Sequence, residues 1–106
     1  MIVTVGRVKT DPQRREELVR AGQAVARASR EENGCIDYRV YQDTENPDEF
    51  VFVEEWESDD ALKRHFASSH VAEFMQAIAA TLTAAPDVKF HTVASSLDLS
   101  DVGAPA

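Results

Sequence analysis

The stretch Ile2 to Lys9 reads IVTVGRVK and alternates β-forming residues without a helical stripe. It is apolar on both parities: Val3 and Val5 fall on one face, Thr4 and Val8 on the other. A half-solvated strand needs only one apolar parity, so a strand of this kind asks for cover on both faces. A chain of 106 residues supplies little for that purpose. At this length one domain forms, and it buries only about two-thirds of the surface its unfolded chain exposes. Cover for the second face is therefore expected from another copy of the chain.

The rest of the sequence tells what covers the first face. Asp11-Pro12 is a helix start, with a side-chain cap followed by a residue whose missing N–H costs nothing in the first turn. Leu18, Ala21, Val25 and Ala28 then recur at helical spacing, with five arginines largely outside that stripe. Asn33-Gly34 ends this helix, since both residues tolerate the left-handed backbone that follows a helix C-terminus. Cys35 to Gln42 and Phe50 to Trp56 flank the polar turn DTENPDE and predict an antiparallel hairpin. Ser58-Asp59-Asp60 starts a short helix with Leu62, His65 and Phe66 on one stripe. Ser68-Ser69 interrupts it, and Val71, Phe74, Met75, Ile78 and Leu82 form the next stripe, with Pro86 as its stop. Val88 to Val93 alternates as a last strand, and SSLDLSDVGAPA is a small, polar tail.

The order strand, helix, strand, strand, helix pair, strand is that of an α+β, ferredoxin-like split β-α-β fold with a four-stranded antiparallel sheet. Residues 1–94 are expected to form one domain and 95–106 a C-terminal tail. The helices cover one sheet face, and a homodimer joined sheet to sheet covers the other.

Charge and composition exclude several functions. Acids outnumber bases 19 to 11, for a formal charge of -8, which argues against nucleic acid and against an anionic membrane surface. No apolar run approaches the roughly 20 residues of a membrane span. MIVTVGRVKT lacks the features of a secretory leader, and the single cysteine, Cys35, has no partner for an intramolecular disulfide, so a cytoplasmic location is expected. The chain has neither a G-x-G-x-x-G turn nor a P-loop, and no nucleotide cofactor is indicated.

Three segments carry a family resemblance. Gly34-Cys35-Ile36-Asp37-Tyr38, Phe52-Val53-Glu54-Glu55-Trp56-Glu57-Ser58, and Ala61 to His70 with its two histidines together resemble the antibiotic biosynthesis monooxygenase (ABM) domain family. The resemblance spans roughly Ile2 to Val93. It implies a dimeric α+β barrel and cofactor-free oxygenation of polyphenols or quinols by molecular oxygen. Haem-degrading relatives use a ligating His in the second long helix, an Asn on the first strand and a Trp in the short helix. Here those positions fall near Phe74, on a strand without Asn, and at His65, which disfavours haem degradation. A further branch holds an isomerase of a phosphorylated autoinducer sugar, and that pattern is not far from this one.

His65 and His70 are the candidate acid–base residues, because imidazole titrates near neutrality. A phenol or enol donates an electron to oxygen readily only after losing its proton, so oxygenation of this type needs a base in a dry cavity. His65 lies near the buried edge of the short helix and His70 at the mouth of the next. The alternative for each is packing or plain surface exposure. Five residues separate them rather than the four that share a helical face, and no H-E-x-x-H accompanies them, so no metal is expected. Glu54 shares a strand face with Phe50, Phe52 and Trp56. It either orients a histidine or a substrate hydroxyl in an aromatic cavity walled by Trp56, or pairs with an arginine such as Arg39. Tyr38, on the apolar side with Ile36 and Val40, His70 and Phe74 complete the candidate substrate contacts. Cys35 reads as a small buried hydrophobe, and His91 fits either a dimer interface or the cavity.

Three functions follow from these residues: a cofactor-independent monooxygenase of a phenolic, quinol or polyketide-like aromatic, an isomerase of a small hydroxy-ketone, and a non-catalytic dimer that binds a small ligand. The acidic balance weighs against a phosphorylated substrate.

Overall fold

A computed structural model describes residues 1–103. Strand β1 (Ile2–Lys9) leads through a 3-10 turn (Pro12–Arg14) into α1 (Arg15–Arg30). Strands β2 (Cys35–Gln42) and β3 (Glu49–Trp56), helices α2 (Asp59–Phe66) and α3 (Ser69–Ala79), and strand β4 (Asp87–Thr92) follow. The sheet order is β2-β3-β1-β4, and every neighbouring pair is antiparallel. Because β3 is inserted between β1 and β2, this is the expected split β-α-β arrangement. No helix among the described residues is long and apolar enough to cross a membrane. Beyond β4, where a tail is expected, Leu99–Val102 forms one exposed 3-10 turn, and residues 104–106 lie outside the described residues.

Local chemistry sets the element ends. Asp11 accepts a hydrogen bond from the Gln13 amide at 2.9 Å, and Ser58 accepts one from the Ala61 amide at 3.2 Å. Helix α3 ends at Ala79, short of Pro86, because Thr81 is pinned: its carbonyl accepts from the Asp11 amide at 2.7 Å and from the Thr10 hydroxyl at 3.0 Å.

The buried stripe of α1 is Leu18, Gly22, Val25 and Ser29 with Ala26, shifted by one position from Leu18, Ala21, Val25, Ala28. The shift follows from close approach to the sheet. Gly22 faces Val40 and Phe52, and a methyl group there would sit 3.6 Å and 3.7 Å from them, in ordinary contact. A second difference lies in β2, where a bulge between Cys35 and Asp37 interrupts the alternation. Ile36 is thereby expelled from the Tyr38 face and is exposed, while Tyr38 stays buried opposite Glu54.

The inner face carries Ile2, Thr4, Gly6 and Val8 from β1, Phe50, Phe52, Glu54 and Trp56 from β3, and Tyr38 from β2. On β4 the same face presents Val88 and Phe90, which pair with Gly6 and Thr4 and remain about half exposed. The helices thus seal the β2 side of the sheet and leave the β4 side open, which positions a cavity there. On the outer face Val3, Val5, Val51 and Val53 are half-buried and uncovered by any helix, as both-parity patterning requires. His91, opposite Val3, belongs to this outer face.

Gly34 is the tightest backbone position, with φ at +90° and the Ala61 methyl only 2.5 Å from where a Cβ would stand. Gly34→Ala adds left-handed strain to an overlap and is expected to lower stability by roughly 2–5 kcal/mol. A urea midpoint displaced to lower concentration at unchanged slope checks this.

Candidate functional site

A cavity of about 470 Å³ lies between the inner sheet face and helices α2 and α3. That is the size of a small-molecule site. Its wall is apolar, built by Val8, Phe52, Val71, Phe74 and Ile78 with Val88 at the open edge. Four polar side chains reach it: Thr4, Tyr38, Glu54 and His65.

Glu54 stands on β3 between two aromatic residues, by strand alternation, and is 6% exposed. Burial disfavours its charged form and pushes its pKa up to about 7. Hydrogen bonds from the Trp56 indole N–H, at 3.1 Å to Oε1, and from Tyr38 work the other way, and the nearby Glu32 charge raises the pKa further. Tyr38, in turn, is held in its neutral form chiefly by burial and then by Glu54, so its hydroxyl stays a donor.

His65 is buried one turn after Ala61 in α2. Its ring lies 4.4 Å from the Trp56 ring and 5.6 Å from Tyr38, between centroids. Nδ1 is 2.7 Å from Glu32 Oε2, and Nε2 is 3.8 Å from Glu54 Oε1. An ionised carboxylate only accepts, so the proton of a neutral ring is assigned to Nδ1 and the lone pair to Nε2. Desolvation lowers the His65 pKa, the Glu32 hydrogen bond and charge oppose this, and His70 lowers it again. The result is a neutral imidazole whose free nitrogen looks toward a carboxyl group that itself titrates near neutrality.

The other expected site residues fall into two groups. Phe74 is on the cavity wall, its ring 5.3 Å from Phe52. Trp56 is fully buried and stands behind His65 and Glu54 rather than on the wall. His70 is likewise off the wall; it lies in the first turn of α3 with Nε2 2.9 Å from Glu32 Oε2. The arginine alternative for Glu54 is not formed, because Arg39 points to the outer face and pairs with Asp37 at 2.9 Å. The Cys35 thiol is half-buried and pushed up to about 11 by burial and the charges of Glu32 and Glu54, which keeps it a neutral thiol.

Two residues went unrecognised in the sequence. Glu32 is one of 19 acids and lies in an aperiodic turn, where only its position two residues before Gly34 sets it apart. Thr4 looks like an ordinary strand residue. Its side chain is nevertheless 1% exposed at the cavity, and its hydroxyl has no hydrogen-bond partner among the described residues. A buried orphan hydroxyl is costly unless a ligand satisfies it.

Comparison with known proteins agrees with this architecture. The family model described as antibiotic biosynthesis monooxygenase matches residues 1–77. An uncharacterized protein of Synechocystis is 32% identical over 98 residues, covering 92% of this chain and 67% of that protein. A Bacillus subtilis protein named "Putative monooxygenase YcnE" is 31% identical over 88 residues, covering 83% of this chain and 93% of that one. Among solved structures, a conserved protein from Methanosarcina mazei superposes with a TM-score of 0.82 at 28% identity, over 85% of this chain and 89% of that chain.

Glu54 has a sign that can be checked. Its folded pKa, about 7, lies above the unfolded value of 4.5, so its contribution favours folding below pH 4.5 and is lost as pH rises through 7. The loss amounts to roughly 3 kcal/mol. Glu54→Gln cannot ionise, so its stability relative to wild type is expected to improve steadily between those pH values. Paired urea titrations across that range measure the difference.

Proposed function

Because the chain belongs to the antibiotic biosynthesis monooxygenase family, we propose that it oxygenates a phenolic, quinol or polyketide-like aromatic with molecular oxygen, using the substrate itself as reductant. The observation that carries this reading is the neutral His65 with its free Nε2 at an apolar, ring-sized cavity, beside a carboxyl group that holds or releases a proton near pH 7. Phe52 and Phe74 offer faces for an aromatic ring, and the orphan Thr4 hydroxyl offers a hydrogen bond to a substrate oxygen.

In this mechanism His65 Nε2 accepts the proton of a substrate hydroxyl, and Glu32 stabilises the imidazolium through Nδ1–H. The resulting anion passes one electron to oxygen, and the superoxide and substrate radical join to form a C–O bond. The peroxide so formed takes up a proton, for which Glu54 is placed as donor, and loses water to leave a carbonyl. A hydroquinone plus oxygen thereby gives a hydroxyquinone plus water, with all four electrons drawn from the substrate. The apolar wall keeps the anion and the peroxide from bulk water.

The hydroxy-ketone isomerase finds less support. A phosphorylated substrate calls for a cation, and no Lys or Arg among the described residues lines the cavity. The uncovered valines of the outer face support a sheet-to-sheet homodimer, in which a second copy supplies the cover that this chain lacks.

Oxygen uptake with a panel of hydroquinones and anthrones tests the activity. Wild type is expected to turn over at least one of them, and His65→Ala to lower kcat by about 100-fold to 10,000-fold. Thr4→Val is expected to raise KM about tenfold while sparing the fold. No uptake with any member, or an unaffected His65→Ala, contradicts the reading. Light scattering tests the assembly, with twice the 11.7 kDa chain mass expected for wild type and a single chain mass for Val53→Lys.

A further inference from the structure

Two histidines five residues apart do not share a face of one continuous helix, and on that ground a metal is not expected from the sequence. The fold removes the premise. The chain breaks at Ala67-Ser68 between α2 and α3, so His65 ends one helix and His70 begins the next at a different heading. Their rings converge to 5.9 Å between centroids. Glu32, delivered by the turn after α1, enters from a third element, with Oε2 at 2.7 Å from His65 Nδ1 and 2.9 Å from His70 Nε2. All three ligand atoms lie within 4.8 Å of one another.

We infer that Glu32, His65 and His70 form a binding site for one divalent first-row transition cation, of which zinc is the best match. The donor set of two imidazole nitrogens and one carboxylate oxygen is a borderline set that suits this class of ion. Ligand atoms around a tetrahedral zinc stand about 3.3 Å apart, given Zn–N and Zn–O lengths near 2.0 Å, so small side-chain adjustments admit the ion. An imidazole that ligates a cation through one nitrogen carries its proton on the other, which is Nε2 for His65 and Nδ1 for His70. The His65 Nε2–H then faces Glu54 Oε1, 3.8 Å away. The side chain of His70 is 24% exposed and gives solvent access for entry and for a water as fourth ligand. The negative charge of -8 over the chain attracts a cation rather than repelling it.

The binding claim stands apart from the catalytic reading, because it concerns nitrogens on the far side of His65 from the cavity. A loaded site does, however, leave a proton on Nε2, so the cation-bound form is not the one in which His65 accepts a proton from a substrate.

Equilibrium dialysis of the chelator-stripped, full-length chain against Zn²⁺ and Co²⁺ tests the inference. Wild type is expected to retain one equivalent per chain, to melt at higher temperature when loaded, and to show the intense visible absorption of four-coordinate Co²⁺. His70→Ala is expected to weaken binding by at least about 100-fold, since even outer partners of a metal ligand cost 10-fold to 100-fold. His70→Gln, which keeps a donor toward Glu32 and preserves the packing, is expected to weaken it similarly, while His91→Ala on the outer face binds as wild type does. Absence of a stoichiometric cation in wild type, or wild-type affinity in either His70 variant, overturns the inference.

Discussion

A carboxyl group lies buried on the inner face of a largely apolar sheet, and the interior is arranged around it. An ionised Glu54 with no partner in this setting costs several kcal/mol, so the group is protonated, hydrogen-bonded or both. The Trp56 indole and Tyr38 meet it from two sides, which fixes Trp56 in full burial and keeps Tyr38 inward past the β2 bulge. His65 comes within 3.8 Å and stays neutral because it too is buried. One cause, desolvation, raises the acid and lowers the base.

Glu32 performs a second task. One oxygen serves both histidines, so a single carboxylate ties the end of α1 to α2 and α3 and sets the His65 tautomer. Its reach depends on the turn ended by Gly34, whose left-handed backbone lies against Ala61 of α2. Hydrogen bonding, tautomer and chain reversal are linked there, and a change in one is felt by the others.

Most of the fold was legible because it rests on short-range rules. Side-chain caps, the 2-residue period of the strands and the apolar parity of β1 and β3 gave the element order, the sheet and the shared face of Phe52, Glu54 and Trp56. Misreadings arose where tertiary contact overrides period: Gly22 replaces Ala21 at the sheet, and the bulge ejects Ile36. Of the cavity lining, His65, Glu54, Tyr38 and Phe74 were legible, each tied to a strand or helix period. Glu32 and Thr4 were not, since a turn has no period and a buried threonine hydroxyl leaves no trace in composition. The mutual approach of His65 and His70 was hidden for a related reason, as sequence spacing measures geometry only while a helix continues.

The open β4 edge gives the cavity its entrance, with Phe66 and Phe90 at 5.7 Å between centroids beside it. The proposed function rests on His65 taking a proton from a phenol bound in this cavity. A nitrophenol, whose ionisation is visible by its absorption, reports this without turnover. In buffer below its solution pKa the ligand bound to wild type is expected to absorb as phenolate, and that bound to His65→Ala as phenol. A neutral phenol bound to wild type, or equal ionisation in His65→Ala, would contradict it.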